Sequence, residues 1–105
     1  MTQHSSKWLQ MPIKEVGRQR DYFQLAPNAT GSTEELPLLE KQALVDEILR
    51  GMPIKHIEYY EKRTGHNGKV VYLVTRGWPQ LRAIFDFLDD KFATWTNEER
   101  EQWQH

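Results

Sequence analysis

Val70-Val71-Tyr72-Leu73-Val74 is a run of five residues without a charged side chain. A strand that alternates apolar and polar residues leaves one face to water, whereas a strand with almost no polar face is covered on both sides. This run therefore calls for a sheet with material packed against each face. The junction Arg76-Gly77-Trp78-Pro79 follows at once, with Gly and Pro as breakers. Beyond it, Leu81, Ile84, Phe85, Leu88 and Phe92 fall at i, i+3, i+4, i+7 and i+11. That spacing predicts an amphipathic helix with a single apolar stripe.

The rest of the chain can be arranged around this strand-junction-helix unit. Ile54 to Lys62 is rich in β-branched and aromatic residues and reads as a strand. The turn cluster Thr64-Gly65-His66-Asn67-Gly68 joins it to a strand over Lys69–Thr75 as a hairpin. Pro37 opens a helix running to about Arg50, and Gly51 stops it as a left-handed cap residue. On that helix Leu38, Leu44, Val45, Ile48 and Leu49 share one face, with Glu40, Lys41, Asp46 and Glu47 mostly opposite. Partial alternation through Trp8, Leu9, Met11, Ile13 and Val16 predicts a short strand, which Pro12 confines to a sheet edge. Residues 26–36 read as a loop, and Thr96-Asn97-Glu98-Glu99 as a capping box for a last helix through Trp103. The expected organisation is a flexible N-terminus over residues 1–10, then one α+β domain over residues 11–105 in which helices pack on a small sheet containing a β-hairpin.

Composition removes several function classes. A formal charge of −1 over 105 residues excludes a strongly basic nucleic-acid coat protein. The absence of cysteine excludes disulfide frameworks, thiolate zinc sites and a cysteine nucleophile. No apolar run approaches the roughly 18 residues of a membrane span, and the polar first residues carry no apolar signal core. A cytoplasmic protein without membrane partners is the expectation. Neither a Gly-rich phosphate loop nor a helical His-x-x-x-His pair is present, so no metal and no cofactor are expected. Asp86, Asp89 and Asp90 read as a solvated helical face, with Arg82 and Asp86 as an i, i+4 pair.

Charge is nevertheless uneven. Residues 50–82 hold seven Lys and Arg against two Glu, a local +5, while residues 83–105 carry −4. Lys55, Lys62, Arg63 and Lys69 mark a basic hairpin surface. It reads either as an anion-facing patch or as a solvated hairpin whose lysines blunt an edge.

Two stretches resemble a known family. Leu38-Leu39-Glu40-Lys41-Gln42-Ala43-Leu44-Val45-Asp46-Glu47-Ile48-Leu49-Arg50-Gly51-Met52-Pro53-Ile54 is similar to its "Q-x-L-I-D-S-I-L-x-G-x-P-I-P" helix. Val70 to Leu88 is similar to its "V-V-D-G-Q-Q-R-L-x-A-I-x-x-F-L" segment. The family is the N-terminal domain of GmrSD-type, modification-dependent restriction enzymes, which has a ParB/sulfiredoxin-like fold. Gln19-Arg20-Asp21-Tyr22-Phe23 loosely echoes its upstream "Y-Q-R-x-Y-V-W". The resemblance spans roughly residues 11–92 in order and spacing. It implies a phosphate- or nucleic-acid-facing site at the strand-to-helix junction, which in family members hydrolyses nucleotides, nicks DNA or gates an attached nuclease domain. No such attached domain is expected here.

The family's Asp-Gly-Gln-Gln-Arg-Leu becomes Arg76-Gly77-Trp78-Pro79-Gln80-Leu81, matching only at Gly77 and Leu81. Arg76 puts a fixed cation where a carboxylate would take a proton or a metal. Pro79 removes an N–H from the helix start, and Gln80 removes a bidentate phosphate clamp. The expectation is a domain without hydrolytic chemistry. Arg76, Gly77, Trp78, Gln80 and Arg82 are then the candidate binding residues, and Gln19 and Arg20 the family-like upstream pair. A protein partner is the leading expectation, as for a phage- or mobile-element-encoded regulator or inhibitor of a nucleic-acid-processing system. Direct DNA or RNA binding through the basic hairpin with Arg76 and Arg82 is the alternative, and residual nucleotide binding or hydrolysis a third.

Overall fold

The computed structural model describes residues 6–52, 54, 56–65, 68–96, 98, 101 and 102. Its elements are β1 (Lys7–Trp8), α1 (Ile13–Arg18), a 3-10 turn (Arg20–Tyr22), β2 (Phe23–Leu25), α2 (Leu38–Leu49), β3 (Glu58–Thr64), β4 (Lys69–Arg76) and α3 (Trp78–Leu88). Lys55, His66 and most of the helix expected up to Trp103 lie outside the described residues.

The four strands form one mixed sheet in the order β1-β3-β4-β2. The expected hairpin is the antiparallel β3–β4 pair, with Tyr59 opposite Val74 and Lys62 opposite Val71. β2 lies parallel to β4, with Phe23 opposite Tyr72 and Leu25 opposite Val74. A parallel neighbour needs a crossover connection, and α2 with β3 supplies it. β2 is only three residues long, too short for a periodic signal.

β4 is covered on both faces, as its composition requires. Val74 belongs to the main core with Leu9, Val16, Phe23, Ile57, Tyr59, Leu81, Ile84 and Phe85. Val71 and Leu73, on the opposite face, pack with Ala26, Ala29 and Tyr60. Full burial of a large apolar side chain contributes about 1.5–3 kcal/mol, so the main core carries the domain. Tyr59, Tyr72 and Phe23 meet at ring-centroid distances of 5.1 to 6.2 Å.

Several expectations need correction. The strand expected over Trp8 to Val16 is only Lys7–Trp8, paired with Glu58 and Tyr59. Pro12 is the N-cap of α1, which buries Val16. Within residues 1–10, expected as a flexible N-terminus, Leu9 is fully buried, and its N–H donates to the carbonyl of Ile57 at 2.8 Å. On α2 the buried stripe is Lys41, Leu44 and Val45, with Ile48 half-buried behind them, while Leu38 and Leu49 are exposed. Lys41 can be buried because carboxylates meet its ammonium. Asp46, also buried, pairs with Arg50 at 3.1 Å. α3 ends at Leu88, and Phe92 instead packs on Phe87 at 5.9 Å.

Candidate functional site

The end of β4 is irregular. Glu58 is opposite Arg76 and Tyr59 opposite Val74, leaving Thr75 as the extra residue of a bulge. Thr75 is held there: its hydroxyl donates to the Glu58 carbonyl at 3.2 Å, and its own carbonyl accepts the Thr30 N–H at 2.8 Å. Bulges re-aim the residues that follow them. Gly77 comes next, with φ of +88°, as the N-cap of α3. Pro79 is the second helical residue rather than the first, and Leu81 closes the first helical bond to the Gly77 carbonyl at 3.0 Å.

Two clefts near this junction hold its candidate arginines. The first, about 540 Å³, is walled by Trp8, His56, Arg76, Gln80, Glu34 and Glu35 among others. The second, about 560 Å³, is walled by Glu35, Lys41, Arg82, Asp86, Lys91 and Phe92. Arg76 and Arg82 therefore face different clefts, separated by the Glu35-Leu36 segment common to both. Neither arginine has an ion pair among the described residues.

The structure sorts the sequence candidates. Arg76, Gly77 and Gln80 share the first cleft, and Arg82 lies in the second. Trp78 walls neither; it is half-buried and packs against the main core. Trp8, from β1, supplies the exposed indole instead. It was missed as a partner of the junction because only the β1–β3 pairing brings the two together.

Lys62, Arg63 and Lys69 are exposed around the far end of the hairpin, where Arg63 donates to the Gly68 carbonyl at 3.3 Å. Lys69 and Arg76 are at opposite ends of the eight-residue β4, about 23 Å apart at ~3.3 Å per residue. The basic tip and the junction are thus separate surfaces.

Gln19 and Arg20 are also remote from the junction. Arg20 grips Asp89, beyond the other end of α3, with Nη1–Oδ1 at 2.6 Å and Nη2–Oδ2 at 2.7 Å. Its guanidinium lies 4.8 Å from the Phe85 ring centroid. Arg20's hydrogen bonds hold the Asp89 carboxyl below its ordinary value. The Gln19 amide donates to Glu15 at 2.6 Å, while its buried Oε1 has no partner among the described residues.

Asp86 does not pair with Arg82 as the i, i+4 spacing suggests. It accepts a hydrogen bond from Lys41 at 3.0 Å and lies 3.5 Å from Lys91. Burial pushes the Asp86 carboxyl up, but the Lys41 hydrogen bond and the Lys41 and Lys91 charges outweigh it, and the net displacement is downward. Lys41 also donates to Glu35, which raises the lysine and lowers the glutamate.

Among the described residues no group of three or more His, Asp or Glu is placed to hold a metal ion, and no helix is long and apolar enough to cross a membrane. Comparison with family models, curated proteins and solved structures finds no match to this chain.

Proposed function

We propose that this chain is a non-catalytic, ParB/sulfiredoxin-like domain that binds a protein partner through the Trp8–Arg76 cleft. In that role it regulates or inhibits a cytoplasmic nucleic-acid-processing system. One observation carries the reading. The two positions that match the family motif both have architectural roles: Gly77 is pressed against the His56 carbonyl, and Leu81 is fully buried in the core. The positions that would bear chemistry differ. Arg76 cannot accept a proton, Trp78 is spent on packing, and Pro79 offers no N–H to an anion.

The electrostatics favour protein over nucleic acid. Glu34 and Glu35 share the cleft with Arg76, and their carboxylates repel phosphate. Nucleic-acid affinity rests on several cations tracking a backbone, whereas the basic tip of the hairpin is a separate surface. An exposed indole beside an arginine with no ion pair among the described residues matches the residue types that anchor protein interfaces.

The test compares the wild-type chain with a Trp8→Ala/Arg76→Glu variant. In extracts of the native host, the wild type should capture a stoichiometric protein and the variant should not. Fluorescence anisotropy with labelled DNA and RNA at low salt should stay flat. Tight, steeply salt-dependent binding there, or phosphate release from nucleotides that drops on Arg76→Ala, would replace this reading with the nucleic-acid or hydrolytic one.

A further inference from the structure

The irregular segment before α2 contributes Glu35 and Leu36 to the walls of both clefts. Glu35 is the outlier of its ion pair. Its side chain is 61% exposed, while that of its partner Lys41 is 10% exposed. Lys41 does not need it, because Asp86 already meets the ammonium at 3.0 Å from the α3 side. The loop carboxylate is therefore a second anion laid over a lysine that already has a half-buried partner. Without Glu35, the second cleft holds Lys41, Arg82 and Lys91 against Asp86 alone, a local charge of +2.

We infer that the cleft between α2 and α3 is a binding site for an acidic, extended peptide segment of a partner protein, occupied here by the chain's own Glu35-Leu36 as an internal stand-in. The inference rests on the protein-binding reading above and names the partner's chemistry. A carboxylate from non-helical backbone already fills the anion position, and Leu36 follows it at the junction of the two clefts. A partner segment with the same acid-then-leucine pattern would displace the strap and bring Arg82, which has no ion pair of its own among the described residues, into the contact.

The experiment uses a fluorescein-labelled peptide of residues 32–38, Ser-Thr-Glu-Glu-Leu-Pro-Leu, titrated with the full chain by anisotropy. A tethered competitor acts at millimolar effective concentration, so its removal should tighten the peptide about tenfold or more. Glu35→Ala and the isosteric Glu35→Gln should both bind that much more tightly than wild type. Arg82→Glu in the Glu35→Ala background should abolish the gain, and a peptide with both Glu changed to Gln should not bind. Equal affinity for wild type and both Glu35 variants overturns the inference, as does binding indifferent to Arg82→Glu. A single-stranded oligonucleotide that binds Glu35→Ala as tightly as the peptide also overturns it. If only this inference fails, capture through Trp8 and Arg76 persists in Arg82→Glu. If only the Trp8–Arg76 reading fails, the peptide still binds and capture is absent.

Discussion

The carbonyl oxygen of His56 lies 2.0 Å from where a Cβ on Gly77 would sit, so the β4–α3 junction has no room for any side chain there. Its φ of +88° adds a second reason, because L side chains avoid that region. The closeness of the two backbones fixes the angle at which α3 leaves the sheet. Gly77→Ala should cost about 3 kcal/mol or more, from strain plus a clash that only backbone movement can relieve. Gly31 has a similar φ of +85° with nothing within 4 Å of its Cβ position. Gly31→Ala should therefore cost only about 1 kcal/mol. Urea denaturation of the two variants separates contact from conformation; equal losses would contradict the close approach.

Trp8 and Trp78 should behave in opposite ways. Trp78 is half-buried against the core, so Trp78→Ala should cost about 2 kcal/mol, below the ~3–5 of a fully buried aromatic. Partner capture by the folded fraction should be retained. Trp8 is 46% exposed at the cleft, so Trp8→Ala should cost less than about 1 kcal/mol and should abolish capture. Thermal melts with a quantitative pull-down read both effects, and a reversed pattern would move the contact surface to Trp78.

Acid should unfold the domain through identifiable carboxylates. Asp89 lies below its ordinary value of 3.8 because of Arg20, and Asp86 does so because Lys41 and Lys91 outweigh its burial. A carboxyl depressed in the folded state contributes stability that is fully present above its unfolded value and is lost as pH falls through the folded one. Urea midpoints should therefore hold steady from pH 7 to about 5 and fall below about pH 4. Arg20→Met should shrink the acid-side fall. An unchanged slope would mean that Arg20 does not govern Asp89.

Lys41 is the buried cation between α2 and α3. Replacing it with Met leaves Asp86 in place with only Lys91, at 3.5 Å. A loss of about 2 kcal/mol is expected, since removing one partner strands the other. The double variant Lys41→Met/Asp86→Leu should recover much of it, because paired ions can often be exchanged for apolar contact. Lys41 is raised above its ordinary value of 10.5. Its contribution is thus fully present below that pH and is lost only as pH rises through the higher folded value. Stability that declines already at pH 8–9 and does so equally in Lys41→Met would assign alkaline unfolding to another group.

Periodicity made the elements legible where it was long enough to repeat. α2, the hairpin and α3 are near the residues where apolar spacing and the Pro and Gly boundaries put them, with ends shifted by a few positions. Two short elements escaped. β2 is three residues and α1 six, and a signal with a period of 2 or 3.6 cannot establish itself over one cycle. Lys41 and Asp86 read as solvated because a charged side chain reads as exposed until its partner is known, and these two, which meet each other, are 45 residues apart.

Local chemistry, then, was determined by the sequence itself: which segments could be helix or strand, where the chain must turn, and that the junction bears a cation, an indole and a proline. Tertiary structure alone decided what those groups face. It moved Trp78 into the packing, brought Trp8 to Arg76 across the β1–β3 pairing, and divided Arg76 from Arg82 with the Glu35-Leu36 wall. The physical reason is range. Backbone propensity and apolar spacing act within one turn or one strand, whereas exposure and charge pairing depend on which distant segment closes against them.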